Sequence, residues 1–420
     1  MNKKLLIIPV LALTFSCLGT PSTPIVHAPS EETSLLPTEI VATLPGIVSE
    51  ATFSSAAVPQ ASGLKIALVK NGNVWMYSDS TGARQLTADG DAGEVHISSD
   101  GAVIAYQRGQ TLWAVTLDGT SQRQLVDVAA FVGAGPLAQF DFQPNTHAVY
   151  FATYAVNAFP NFGNPARDLH RVDADAPAPQ TLLTDGGGYF TFSPDGNLIA
   201  LAQTDRINTI HADGTALIAA LTFPIVNTGA DWAYVPQVVW LTDSTGFYTV
   251  IPANPAEKSR FLYISADGSI TAQLAEFVSA DLRIAKPLIA PNGSKLTYVS
   301  QDAGGALSIH VIDTSTADAV VAAFPNAGSV TLWAWSPDSN RFTFWTRNIG
   351  DMQLAGMNLP ALTLVEGIAA YSLTWVTADT FLYYKNGELK LGQVGNPNLS
   401  VIASEIPQYE QDTRYYDFAE

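Results

Sequence analysis

One cysteine in 420 residues leaves no disulfide to be made within the chain. Basic residues are scarce too: 20 Lys and Arg stand against 38 Asp and Glu, a formal net charge of −18. A surface that acidic repels phosphate backbones and anionic headgroups, so nucleic acid is not an expected partner. The six histidines (27, 96, 147, 170, 211 and 310) include no two at a metal-ligand spacing. The G-x-S-x-G nucleophile elbow, the H-E-x-x-H pair and the P-loop are all missing. Charged residues make up only 14% of the chain against 47% apolar, so a large core is available.

What is present begins with a leader. Asn2-Lys3-Lys4 is a positive start, and Leu5 to Phe15 is an apolar run too short to span a bilayer as a lasting helix. Thr14-Phe15-Ser16-Cys17 then resembles a bacterial lipobox, in which the cysteine is lipidated after cleavage. Phe15 and Thr14 depart from the usual small and aliphatic residues. A cut after Ala28, in Val26-His27-Ala28, is the alternative. Residues 18–63 are rich in Pro, Ser, Thr and Ala and read as a tether. Residues 64–420 read as one β-rich domain.

Within that domain a short turn recurs seven times between strand-like runs. It reads Ser98-Ser99-Asp100-Gly101, Gln143-Pro144-Asn145-Thr146, Ser193-Pro194-Asp195-Gly196, Thr242-Asp243-Ser244-Thr245, Ala290-Pro291-Asn292-Gly293, Ser336-Pro337-Asp338-Ser339 and Val376-Thr377-Ala378-Asp379. A separation of 41 to 50 residues between equivalent positions, in an all-β pattern, indicates radial repeats. The clearest unit has strands at 190–193, 197–202, 207–211 and 216–221, a four-stranded antiparallel sheet. Residues 64–87 supply three strands and lack the first. The segment 413–418 has the pattern to supply it, which would close the ring and remove its open edges. The expected fold is therefore an all-β propeller of eight blades, with seven as the alternative if one weak unit is irregular.

Ser193-Pro194-Asp195-Gly196-Asn197-Leu198-Ile199-Ala200 and Trp335-Ser336-Pro337-Asp338-Ser339-Asn340-Arg341-Phe342 resemble the repeat of TolB-like (PD40, WD40-like) propellers. The same repeat occurs in the propeller domains of prolyl oligopeptidases and dipeptidyl peptidases. Those peptidases carry a separate catalytic domain, and this chain ends before one could begin. The resemblance implies the fold and, by analogy, protein partners. Turns 143–146 and 376–379 depart from the motif.

The Asp-Gly turns are read as backbone turns rather than calcium loops, because calcium needs six to eight converging oxygens. Ala88 to Glu94 is the densest acidic loop, but no metal or cofactor is expected. Most of the eight tryptophans lie in strand runs and are read as blade packing; Trp232 lies in a connection.

Loop length separates two rims. Turns between first and second strands share a face with those between third and fourth, and all are short. The long segments 154–168, 223–237, 252–260, 347–351 and 126–139 fall on the other rim, where binding is expected. Tyr154, Phe159, Phe162, Arg167, Asp231, Trp232, Tyr234, Arg260 and Arg347 are the contact candidates, of types favoured in interfaces.

The function expected is a non-catalytic, extracytoplasmic binding module, secreted or lipid-anchored and monomeric, that engages a protein or envelope polymer. Contact with a membrane would be through the Cys17 anchor alone. The alternatives are a glycan-acting hydrolase or lyase with carboxylates at the channel mouth, and a peptide-binding propeller serving a separately encoded protease.

Overall fold

In a computed structural model, the described residues run from 63 to 419, apart from 133–134, 156–165, 227–232, 253–257, 281–284, 315–317, 325–328, 347–349, 358, 366–372 and 408–413. They belong to the second of two units, Met1–Thr52 and Phe53–Glu420. Cys17 and the contact candidates Phe159, Phe162, Asp231, Trp232 and Arg347 lie outside the described residues.

Eight four-stranded antiparallel sheets account for nearly all of the regular structure, and together they form an eight-bladed β-propeller. Blade one joins the ends of the domain: Lys65–Lys70, Asn73–Ser78 and Gly82–Gln85 pair outward from Tyr416–Ala419, with Lys65 opposite Ala419 and Leu68 opposite Tyr416. In blades two to eight the four strands follow in chain order. Their innermost strands are Val95–Ile97, Leu137–Phe142, Tyr189–Phe192, Val238–Trp240, Leu288–Ile289, Val330–Trp335 and Leu373–Trp375. The expected C-terminal closure is thus present, three residues later than its sequence pattern suggested.

Second strands are apolar on both faces because each sheet is packed between two others. Ile104, Phe151, Ile199, Phe247, Leu296, Phe342 and Phe381 have 1% exposure or less. The cores therefore lie between blades. Val103 and Leu112 of blade two, for example, pack with Phe140 and Phe151 of blade three.

Six of the seven recurring turns close by a hydrogen bond from the fourth residue to the first, as in Gly196 N to Ser193 O (2.8 Å); in the seventh, Val376 N and Thr377 N bond Thr380 O instead. In five of seven the closing residue takes left-handed backbone: Gly101, Gly196, Ser244, Gly293 and Ser339. The turn in blade five starts one residue earlier than the sequence pattern suggested, because Ser244 N bonds Leu241 O. The two departures from the motif also differ in conformation. Positive φ falls on Asn145 in one and on no residue in the other.

Gly268, in the outer turn of blade five, shows why such turns keep glycine. Its φ is +67°, and a Cβ there would lie 2.9 Å from the Ala220 Cα of blade four. Gly268→Ala is expected to cost at least ~1–2 kcal/mol from the left-handed backbone alone. A urea midpoint unchanged by that substitution would contradict the close approach of the two blades.

Candidate functional site

An innermost strand has a free edge, and unpaired backbone groups there need partners. Side chains of neighbouring innermost strands supply them. Asp417 of blade one accepts from Ile97 N of blade two (3.0 Å). Gln139 of blade three takes both groups of Phe190 in blade four, accepting from its N–H (3.0 Å) and donating to its carbonyl (2.9 Å). Trp240 Nε1 donates to Thr191 O, and Trp335 Nε1 to Leu288 O, each at 3.1 Å. Trp333 Nε1 caps Leu373 O in the same way. Three tryptophans in strand runs, Trp240, Trp333 and Trp335, thus also complete the inner edges, a role that sequence patterning did not show.

Strand register places Asp417, His96, Asp141, Thr191, Val239, Leu288, Ala334 and Thr374 at one equivalent level of blades one to eight. Most keep partial exposure although they sit on the innermost strands, as side chains bordering an axial channel do. The layer is charged or polar in blades one to four and apolar in blades five to seven.

The charged part centres on His96, whose side chain is 4% exposed. Its Nδ1 bonds Asp141 Oδ1 at 3.1 Å and its Nε2 bonds Glu94 Oε1 at 3.0 Å. With a carboxylate on each nitrogen, both nitrogens donate, and the ring is an imidazolium. Burial alone would push its pKa down. The charge and hydrogen bond of Asp141, helped by the Glu94 hydrogen bond, overcome this and raise it to about 9. Asp141 is held below its ordinary range: burial opposes ionisation, and the His96 charge outweighs it. Arg414 adds a second cation, pairing with Asp417 Oδ1 at 3.4 Å. The cluster clasps blades one, two and three where the ring closes. Its histidine has no free lone pair, so it cannot serve as a general base.

The short-turn rim is tied blade to blade. Lys65 Nζ donates to Asp100 O (3.0 Å), Asn145 N to Ser99 Oγ (2.8 Å), Gln143 Nε2 to Gly196 O (2.8 Å) and Asp195 N to Ser244 Oγ (3.2 Å). Asn292 N donates to Ser339 Oγ (3.1 Å), and Arg341 pairs with Asp379. Asp100, Asp195, Asp243 and Asp338 also accept hydrogen bonds within their own turns. Asp195 accepts from Ser193 Oγ (2.6 Å) and from Asn197 N (3.1 Å), and the Ser193 bond first of all brings its pKa to about 2. In the acidic loop, Asp89 and Asp91 pair with Arg108 while Glu94 turns to His96. Among the described residues, no group of three His, Cys, Asp or Glu is arranged to hold a metal ion.

Solved propeller structures overlay on this chain at low identity. An oligogalacturonate lyase from Vibrio parahaemolyticus is 13% identical, covering 68% of this chain and 83% of its own, with a TM-score of 0.48. TolB from Acinetobacter baumannii is 12% identical over 60% of this chain and 61% of its own, with a TM-score of 0.33. A putative TolB from Agrobacterium tumefaciens is 12% identical over 62% and 88%, also with a TM-score of 0.33. No protein-family model matches the sequence, and no match is found among curated proteins. These likenesses carry nothing about activity, which must be argued from the residues.

On the long-loop rim, four of the contact candidates are described. Tyr154 is 7% exposed, and its hydroxyl meets that of Tyr189 at 3.0 Å. Tyr234 is 6% exposed and donates to Val250 O at 3.1 Å; burial raises its pKa. Both tyrosines anchor the bases of their loops. Arg167 is exposed and paired with Asp185, and Arg260 is half-buried opposite Glu276. Exposed apolar side chains are the feature that the sequence reading missed. Of seven large ones among the described residues, six lie between Leu217 and Val320, in blades four to six. Ile225 (56%) and Val278 (64%) stand on the links that join these blades.

Proposed function

We propose that this protein is an extracytoplasmic binding module that holds a protein partner against its long-loop rim over blades four to six. The observation that carries the reading is the exposure of Ile225 and Val278 on that rim. Solvated valine and isoleucine side chains gain when a partner covers them. The opposite rim has its turns engaged with one another.

The glycan-hydrolase reading gains less support. Two carboxylates do flank His96, but the imidazolium between them favours the ionised form of Asp141. A glycosidase acid is instead kept protonated by its surroundings.

Photo-crosslinking residues placed at Ile225 and Val278 in the full chain are expected to trap one discrete protein in intact cells. The same residues at Asn197 and Asn340, on the short turns, are expected to trap none. Equal trapping from both rims, or capture of polysaccharide alone, would overturn the assignment. The leader leads us to place the module at a membrane through lipid on Cys17. Cys17→Ser is expected to move the protein from the membrane to the soluble fraction and abolish palmitate incorporation. Mature protein starting after Ala28 would remove the anchor from the proposal.

A further inference from the structure

Blade six carries an arrangement that neither the channel nor the rim uses. Ser300 lies near the end of strand Lys295–Gln301, and His310 lies in the adjoining strand Leu307–Asp313. Asp318 immediately precedes the outer strand Ala319–Phe324. Antiparallel pairing sets Tyr298 opposite His310 and Ser300 opposite Ser308, so the pleat brings Ser300 diagonally onto the face of His310. Ser300 Oγ meets His310 Nε2 at 2.8 Å, and His310 Nδ1 meets Asp318 Oδ2 at 3.2 Å.

The order of atoms matters. A hydroxyl on Nε2 and a carboxylate on Nδ1 hold the neutral ring as the Nδ1–H tautomer, with the Nε2 lone pair directed at the hydroxyl proton. That is the relation of nucleophile, base and orienting acid that activates a serine. His96, with a carboxylate on each nitrogen, cannot do this. The ring of His310 is further fixed by Tyr298, which stacks on it at 4.6 Å and 17° and donates its hydroxyl to Asp318 Oδ2 at 2.8 Å. Phe277 of blade five packs on Tyr298 from behind, with ring centroids 4.5 Å apart. The group is open to solvent: the side chains of His310 and Asp318 are 15% and 43% exposed. Val320, opposite His310 on the outer strand, is 60% exposed and offers an apolar shoulder.

We propose that Ser300, His310 and Asp318 form a reactive-serine site on the flank of blade six, which accepts acyl groups from small apolar esters. Ser300 Oγ attacks the ester carbonyl carbon while its proton passes to His310 Nε2. The carbon–oxygen bond to the alcohol then breaks, the alcohol leaves with that proton, and the acyl group stays on Oγ. Water, deprotonated by His310, adds to the acyl carbon and releases the carboxylic acid and free Ser300. Asp318 acts through His310 as a positioning residue. Ser300 lies within a strand and not on the sharp strand-to-helix turn that aims backbone amides at an oxyanion. The expected substrates are therefore esters with good leaving groups, such as aryl acetates.

The test uses the full chain and a biotinylated fluorophosphonate, with the modified residue located by mass spectrometry of peptides. An adduct on Ser300 that disappears in Ser300→Ala is expected. His310→Gln is expected to slow labelling about 100-fold. Asp318→Asn is expected to slow it about tenfold, while Asp318→Glu restores most of the rate. A merely structural carboxylate would not give that split. Unchanged thermal transitions establish that the variants are folded, and p-nitrophenyl acetate hydrolysis by the same set gives a second readout. Absence of an adduct at Ser300 in the folded protein overturns the proposal. So does labelling at the same rate in His310→Gln.

Discussion

Ending the chain before Arg414 is expected to abolish the cooperative thermal transition of the whole ring. The truncation removes the innermost strand of blade one, including its four cross-strand pairs to residues 65–68. It also removes the carbonyls of Tyr415 and Arg414, which accept from Val69 N (2.9 Å) and Val95 N (3.0 Å), and the Asp417 carboxylate on Ile97 N. Ile66, Ala67 and Leu68, now with no exposure, would border an open edge. Losing the burial of Tyr416 and Phe418 and exposing Ile66 and Leu68 costs roughly 5 kcal/mol or more, comparable with the entire stability of an ordinary domain. Calorimetry would show the loss directly, and amide exchange would show it first in blades one and two. A truncated chain melting within a few degrees of the parent would mean that the ring does not depend on this closure.

His96→Gln is the second large effect, and its signature is in pH. The folded pKa of His96 is about 9 against an ordinary 6.5. A raised folded pKa means that the contribution is complete below about pH 6.5 and is lost as pH rises through about 9. For a side chain only 4% exposed, that shift corresponds to about 3 kcal/mol. This is an upper figure, because the Asp141 side chain is 41% exposed and solvent screens part of the attraction. The lowered pKa of Asp141 is the same attraction seen from the carboxylate and is counted once. From that side, stability is lost as pH falls through the depressed value. The stability gap between parent and His96→Gln should therefore be widest near pH 6 and shrink both above pH 9 and in strong acid. Urea unfolding at pH 4, 6, 8 and 9.5 measures it. A gap constant across that range would show that His96 is a packing residue and not a charged clasp.

Much of the fold was legible because its signals are local. Ser193-Pro194-Asp195-Gly196 makes its own turn: the Ser193 hydroxyl, the Asp195 carboxylate and the left-handed Gly196 all act within four residues. Such a motif reads the same before and after folding. Its recurrence gave the blade count once the unmatched strand at the C-terminus was assigned to blade one. The long segments were assignable to one rim because antiparallel order alone decides on which end a connection falls.

The candidate sites were much less legible. Glu94 and His96 are two residues apart, but Asp141 reaches His96, and Asp417 reaches Ile97 N, only through the meeting of innermost strands. Tyr154 and Tyr234 looked like contact residues because they stand in long connections. The structure turns both inward, where their hydroxyls find Tyr189 and a backbone carbonyl. Ser300, His310 and Asp318 fit no motif of fixed spacing, because a cross-strand diagonal follows from register and not from sequence order.

By itself the sequence determined the repeat, the turn chemistry, the two unlike rims and the acidic surface, because each is written in neighbouring residues or in bulk composition. Only the tertiary structure decided which side chains meet. Ring closure brings residues hundreds of positions apart into hydrogen-bonding distance, and strand register, set by the packing of whole blades, chooses which face each side chain takes.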